Sequence, residues 1–444
     1  MHLLCQQRFV CEGGIQRGCL YRRVSAWFCR PAVKITVPLA GIYIHIPFCS
    51  QFCNYCDFYS TTMLGKRSRF MEALVAEIVC RSVSFIQKGF KVGTVYIGGG
   101  TPSVLSAGQL GRILESVLSR YPVEVPEVAP PASESISFTG SPEITVELNP
   151  DDVSLGYARD LFSLGFNRVS LGIQSFNDAH LSWMNRRHNS AKALEAFGNL
   201  RKAGFRNISI DLIFGFESLS TEEWRRNIEL AIELSPEHLS CYQLGIEKGT
   251  KLYRSYMDGS YDPLPDEGSN SQYALLQELL FQAGYVQYEI SSFCKPGLES
   301  RHNSSYWDFT PYFGFGPSAH SFDGVGREWN DKGINKYIFG WGQGIRGFKS
   351  EQLTLRDHLN EFIMLSLRTV KGMEILELSR LLDNYAGSSY STQTTPQIAE
   401  FKNNLHTLLK QGLLHQTPTH IQIPPHNLFL SDTLIRTLFV ASLG

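Results

Sequence analysis

Cys49, Cys53 and Cys56 stand in one short run, Ile46-Pro47-Phe48-Cys49-Ser50-Gln51-Phe52-Cys53-Asn54-Tyr55-Cys56-Asp57-Phe58. The spacing is Cys-x3-Cys-x2-Cys, and no fourth cysteine follows closely. Thiolates are soft donors suited to iron, and three on one loop can hold three irons of a four-iron cluster. The fourth iron is then open to an exogenous ligand, and an open metal position marks a reactive site rather than a structural one. A zinc site would want a fourth Cys or His nearby. His45 precedes the loop, but strand alternation puts it on the face of Tyr43, off the loop. A disulfide needs an oxidising compartment and suits an odd trio poorly.

Other polar residues sit where apolar, strand-like runs end. Thr94-Val95-Tyr96-Ile97 leads into Gly98-Gly99-Gly100-Thr101-Pro102-Ser103, whose glycines let the backbone approach a ligand and present its N–H groups. Glu147 ends Ile144-Thr145-Val146-Glu147, Gln174 ends Arg168-Val169-Ser170-Leu171-Gly172-Ile173-Gln174, and Asp211 lies in Ile208-Ser209-Ile210-Asp211-Leu212. Arg186, beside Arg187, follows on a connecting segment and can meet a carboxylate. Taken singly, each has a plainer explanation: a tight turn, a solvated acid, a surface cation. Polar residues ending successive strands converge when those strands form one barrel, whose reactive groups lie at the strand C-terminal ends.

The elements that would place them alternate. Strands are expected at 41–46, 93–98, 143–148, 167–173, 206–213, 238–243 and 285–290, and helices near 66–88, 106–120, 155–163, 190–203, 220–234 and 266–283. Alternating β and α over some 250 residues implies an α/β fold, a parallel sheet with helices outside. Six or so units predict a partial (β/α)6-type barrel rather than a closed eight-fold one. The chain divides into an irregular N-terminal extension (1–40), the barrel (41–290), an aromatic, Gly-rich segment with little helix or strand signal (291–350), and a small C-terminal helical, winged-helix-like domain (351–444). Residues 122–142, with five prolines among Ser and Glu, read as a solvated insertion.

Composition narrows the classes. The formal net charge is -1, so no global electrostatic case exists for nucleic acid. No window approaches the run of about 20 apolar residues that a membrane helix needs. Four of the ten cysteines lie in the leader, three form the motif, and Cys80, Cys241 and Cys294 are scattered, which points to a reducing compartment. The leader carries six Arg or Lys against Glu12. Gly, Cys and Pro interrupt any amphipathic helix there, so it reads as an extension without a structural role rather than an organelle transit peptide.

The cysteine loop resembles that of the radical S-adenosylmethionine (SAM) enzymes, in which SAM occupies the open iron of a [4Fe–4S] cluster and is cleaved to a 5′-deoxyadenosyl radical. From Gly41 to about Val440 the chain is similar to the oxygen-independent coproporphyrinogen III oxidases and their relatives. The shared runs are Tyr43-Ile44-His45-Ile46-Pro47-Phe48-Cys49, Gly98-Gly99-Gly100-Thr101-Pro102-Ser103, Glu147-Leu148-Asn149-Pro150, Gly172-Ile173-Gln174-Ser175-Phe176 and Asp211-Leu212-Ile213-Phe214-Gly215. The resemblance implies that Tyr43, Tyr55, Gly99, Gly100, Thr101, Glu147, Gln174, Arg186 and Asp211 line SAM.

Departures place the chain within that family. The oxidases typically have another cysteine two positions after the third cluster ligand; here Phe58 stands there. The leader is unlike their N-terminal arm, and Glu217 replaces a common proline. Cys56-Asp57-Phe58 and His302-Asn303-Ser304-Ser305-Tyr306-Trp307 instead resemble the family's haem-chaperone branch. Haem needs an axial donor and a flat apolar wall. His302 with Tyr306, Trp307, Tyr312, Phe313 and Phe315 would offer both, with His320 the rival donor, although a packed aromatic loop with His302 hydrogen-bonded in place explains the same residues. The resemblance thus implies a cytoplasmic carrier that binds a [4Fe–4S] cluster, SAM and haem and passes haem to an acceptor, such as a membrane-associated respiratory haem protein. The alternative is an oxidoreductase that decarboxylates coproporphyrinogen III to protoporphyrinogen IX. A radical enzyme on another small substrate is the third reading.

Overall fold

Alternation along each strand decides which side of the sheet meets the helices. The computed structural model describes residues 38–124, 142–344, 347–387 and 394–440. Most of the expected leader and most of the proline-rich insertion lie outside these residues. The first half runs β1 (Leu39–Ile46), α1 (Arg67–Gln87), β2 (Lys91–Gly99), α2 (Ala107–Leu118), β3 (Glu143–Leu148), α3 (Leu155–Ser163), β4 (Arg168–Gln174), α4 (Asp178–Trp183), α5 (Ser190–Ala203), β5 (Ile208–Phe214), α6 (Thr221–Leu234) and β6 (His238–Gln243). Then follow α7 (Lys251–Met257), α8 (Asp266–Gln282), β7 (Val286–Glu289), β8 (Ser292–Cys294), α9 (Arg301–Trp307), β9 (Tyr312–Phe315), β10 (His320–Phe322), β11 (Gly326–Asn330), α10 (Ile334–Gly342) and β12 (Phe348–Gln352). The chain closes with α11 (Leu355–Leu367), β13 (Met373–Glu374), α12 (Ile375–Gly387), α13 (Thr394–Lys410), β14 (His415–Gln416), β15 (His420–Gln422) and α14 (Ser431–Leu438).

β1 to β6 are parallel and adjacent in chain order, within a sheet ordered β12-β11-β10-β9-β1-β2-β3-β4-β5-β6-β8-β7. Among the described residues the two ends do not pair, so the barrel is partial. On the outer side Ile42, Ile44, Val95, Ile97, Val146, Val169, Leu171, Ile210 and Leu239 are buried under the helices. Successive side chains point to opposite faces. The inner face therefore receives Thr94, Tyr96, Thr145, Glu147, Arg168, Ser170, Ser209, Asp211, His238 and Ser240, and the barrel axis is polar. Capping fixes where helices start: Ser220 and Glu223 form a reciprocal capping box on α6, as Ser106 and Gln109 do on α2.

The structure corrects two expectations. The strand at 285–290 is not a seventh barrel strand; β7 joins the far edge as a hairpin antiparallel to β8. Residues 291–350 are not irregular: among the described residues they hold four strands, two helices and the start of β12, and β9 pairs parallel to β1 on the barrel's other edge. These strands are three to five residues long and gain stability only from pairing and burial, so no local period announces them. Phe313 and Phe315, expected in a haem wall, are core: Phe313 meets Phe85 edge-on at 4.9 Å, and the Arg81 guanidinium covers Phe315. Glu77, fully buried on α1, clamps this segment by accepting from Arg81, Gly316 N–H, Asn330 and Tyr337. In the C-terminal part, α11-β13-α12-α13-β14-β15 has the helix and strand order of a winged helix, its small sheet ordered β13-β15-β14.

Candidate functional site at the barrel mouth

The cysteine loop leaves the end of β1 and is tied down on both sides. Thr61 brackets its start, accepting from Cys49 N–H and donating to the Pro47 carbonyl. The segment after α4 holds its middle: Asn54 N–H donates to the Met184 carbonyl, the Asn54 amide to the Trp183 carbonyl, and the Asn185 amide to the Phe52 carbonyl. At the start of α7, Leu252 N–H donates to the Asn54 carbonyl. The loop geometry is thus imposed by distant elements.

The three thiols face a cavity of about 470 Å³ at the C-terminal ends of the strands. Of the residues expected there, Tyr55, Gly99, Gly100, Thr101, Glu147, Gln174, Arg186 and Asp211 line it with Cys49, Cys53 and Cys56. Tyr43 does not: its hydroxyl meets His45 Nδ1 at 3.0 Å, behind that wall. Gly99 has φ +114°, a conformation that favours glycine, and its N–H donates to Glu147 Oε2 at 3.0 Å. Gly100 leaves no room for a Cβ, which would stand 3.0 Å from Cys49 Sγ. Gln174 ends β4 with φ +70°, uncommon for a side chain of its size and a mark of functional sites.

Arg186 reaches inward, donating to Cys53 Sγ at 3.3 Å and to the Gly172 carbonyl at 2.7 Å. Arg187 instead pairs with Asp152 at 2.8 Å and Asp151 at 3.6 Å. Tyr96 donates to Glu147 Oε1 at 2.7 Å. Burial pushes the Glu147 carboxyl up to about 7, against the pull of the Tyr96 hydrogen bond, and the Asp211 charge adds to the rise. Burial likewise raises Asp211, which accepts from Ser170 at 3.0 Å. Two acids beside one cation and a row of hydroxyls suit a ligand that carries both an ammonium and a carboxylate.

Burial raises the thiols of Cys49 and Cys56, the latter to about 12, so metal binding must displace their protons. Among the described residues no three His, Cys, Asp or Glu gather around one point close enough for a single ion. Three thiols along one wall fit a cluster that takes one thiolate per iron, whereas a zinc site would want a fourth Cys or His.

Sequence reasoning missed Tyr96, which holds Glu147. It lies two residues before Gly98 on the same strand face, and that period was available. It also missed Tyr242, Gln243 and Glu247 at the end of β6, which line the cavity by the strand-end rule that picked out Glu147 and Asp211.

His302 is placed differently from the expectation of an open haem donor. α9 plugs the N-terminal end of the barrel, with Arg301 and His302 N–H groups donating to Glu143 at the start of β3. The His302 ring is buried, its Nδ1 2.7 Å from Thr94 Oγ1 and its Nε2 2.9 Å from the Tyr306 hydroxyl. Both nitrogens are engaged, so iron would have to displace a hydrogen bond inside the barrel. Its rival His320 is exposed, stacked on Trp329 at 5.8 Å.

Comparisons with known proteins agree with this geometry. Residues 43–231 match the family model described as the radical SAM superfamily. A Lactococcus lactis protein named heme chaperone HemW is 33% identical over 377 residues, 84% of this chain and 92% of the relative. The Bacillus subtilis protein of that name is 31% identical over 389 residues, covering 87% and 95%. The Escherichia coli one is 36% identical over 290 residues, covering 64% and 71%. Among solved structures, the coproporphyrinogen III oxidase HemN from Escherichia coli, a radical SAM enzyme, superposes with TM-score 0.74 over 90% of both chains at 23% identity, which shows the fold.

Proposed function

We infer function from a premise the similarity establishes: the chain belongs to the HemW family of radical SAM proteins. We propose that it is a haem chaperone, which binds haem and hands it to an acceptor protein such as a respiratory haem enzyme. Radical SAM membership implies a [4Fe–4S] cluster and SAM. Cys49, Cys53 and Cys56 would hold the cluster, and the open iron would face SAM. Glu147, Asp211 and the Gly99–Thr101 backbone would take the ammonium end of SAM, Arg186 and Gln174 its carboxylate, and Tyr55 its edge. Bound together, and with the cluster reduced by an external one-electron donor, these groups would supply reductive cleavage of SAM; the protein's share is to position SAM and keep the open iron from water.

The similarity to HemW relatives over nearly the whole of both chains carries the chaperone reading. Phe58 supports it: where the oxidases have a further thiol, this chain sets a side chain 65% exposed at the cavity rim. The working compartment proposed is the cytoplasm, which suits reduced thiols; among the described residues no helix is long and apolar enough to cross a membrane. The test uses one anaerobically reconstituted preparation. Haem should bind and pass to an apo-acceptor, and coproporphyrinogen III should stay unconverted under reducing, SAM-replete conditions. Robust protoporphyrinogen formation would replace this reading with the oxidase.

A further inference from the structure

α9 separates two cavities. Asn303 lines the cluster cavity, whereas Ser304 and Trp307 line a second one, of about 720 Å³, between α9 and the C-terminal module. That volume lies within the range of about 300–1,000 Å³ typical of cofactor-sized sites. Three aromatic side chains contribute much of its apolar surface. Trp307 ends α9, and Phe309 follows it. Phe362 lies on α11, its ring stacked on Phe309 at 6.4 Å with an interplanar angle of 23°.

Two buried nitrogens at this cavity have no hydrogen-bond partner, the Trp307 indole Nε1 and His420 Nε2. A buried polar atom without a partner is uncommon and asks what normally meets it. The other His420 nitrogen, Nδ1, is 2.9 Å from Thr419 Oγ1. When Nδ1–H donates to that hydroxyl, Nε2 carries a free lone pair, the form in which imidazole binds a metal. His358, one helical turn before Phe362 on α11, brings a second imidazole. The cationic side is asymmetric: Arg380 is bonded to Glu377, while among the described residues Lys371 makes no ion pair.

We propose that this second cavity is the haem site, with Trp307, Phe309 and Phe362 forming the apolar wall, His420 Nε2 the axial donor and Lys371 the partner of a propionate. The assignment rests on the haem-chaperone reading and moves the donor from His302 to His420. It also explains why one short helix carries both a histidine and a tryptophan: His302 faces the barrel and Trp307 faces the haem. Chaperoning follows from the position, because the site lies between the barrel and the terminal module rather than inside the radical cavity.

The test is a haem titration of the full-length, cluster-loaded protein, read by resonance Raman and electron paramagnetic resonance as well as by absorbance. His420→Ala should remove the imidazole-ligand signature and weaken binding by at least about tenfold, the scale of losing one metal partner. Added imidazole should restore the signature, which a merely structural role would not produce. Lys371→Glu should weaken binding while keeping the ligand signature. If His420→Ala fails to fold, His358→Ala combined with Lys371→Glu carries the test, and unchanged binding there overturns the site. Wild-type protein that binds no haem overturns the chaperone reading itself. Wild-type protein that binds haem, with a signature unmoved in His420→Ala, overturns only this location.

Discussion

Replacing Gly100 by alanine tests whether the glycine turn and the cysteine loop are one mechanical unit. A Cβ there would stand 2.8 Å from the Phe48 carbonyl oxygen, 3.0 Å from Cys49 Sγ and 3.1 Å from the Ile46 carbonyl oxygen. Gly100 needs no left-handed backbone, so the effect is steric rather than conformational. The close oxygens belong to backbone that cannot swing aside: Ile46 O already accepts from Gly100 N–H at 2.8 Å, and the buried Phe48 ring is wedged edge-on against Phe70 at 5.2 Å. Overpacking of this kind costs about 1–3 kcal/mol. If the strain is relieved by shifting Cys49, the cluster site weakens by roughly 5- to 150-fold. Iron and sulfide per chain after anaerobic reconstitution measure the loss, and thermal unfolding of the cluster-free chain measures any strain that stays in the fold. Gly198→Ala is the control: it lies inside α5 with nothing within 4 Å of its Cβ position, and should gain about 0.5–1 kcal/mol with full iron. Full iron and unchanged stability in Gly100→Ala would refute the coupling of turn and loop.

Three further outcomes are expected. Alanine at Cys49, Cys53 or Cys56 should abolish the iron–sulfur absorbance, whereas Cys294→Ala, buried at the end of β8 within the β7–β8 hairpin, should keep it; equal loss in all four variants would mean that the trio is not the ligand set. Glu147→Gln and Asp211→Ala should each weaken SAM binding in calorimetry at unchanged iron content, and undiminished affinity in both would displace SAM from these strand ends. Burial, with the nearby Arg168 charge adding, lowers His302 from 6.5 to about 3. Because the folded-state value lies below the unfolded one, its contribution is complete above about pH 6.5 and is lost as pH falls toward 3, at up to about 1.4 kcal/mol per pH unit. The stability advantage of wild type over His302→Gln should therefore shrink between pH 7 and pH 4 in denaturant titrations, and a constant difference would show that the ring is solvated.

The sequence was informative wherever a signal repeats locally or a motif is contiguous. The regular alternation of strand-like and helix-like segments from β1 to β6 was enough for a partial parallel barrel, because successive βα units lay their strands side by side in one sheet with the helices outside. The cysteine trio was legible for the same reason: its three thiols share one loop, so their spacing alone narrows the metal they would suit. The strand-end residues Glu147, Gln174 and Asp211 followed once the barrel was assumed, since topology brings the ends of adjacent parallel strands together. Tertiary structure decided what depends on partners distant in sequence. It chose Arg186 over Arg187, because Asp151 and Asp152 claim the second guanidinium. It turned the aromatic segment after residue 291 into edge strands and a plug, because strands of three to five residues exist only when β1, β6 or one another pair with them. And it sent His302 into the barrel against Thr94 and Tyr306, leaving His420, distant in the chain and silent in its local sequence, with a buried nitrogen that has no hydrogen-bond partner. A side chain's type is written in the sequence; whether its polar atoms are already satisfied is settled only when the chain has folded around it.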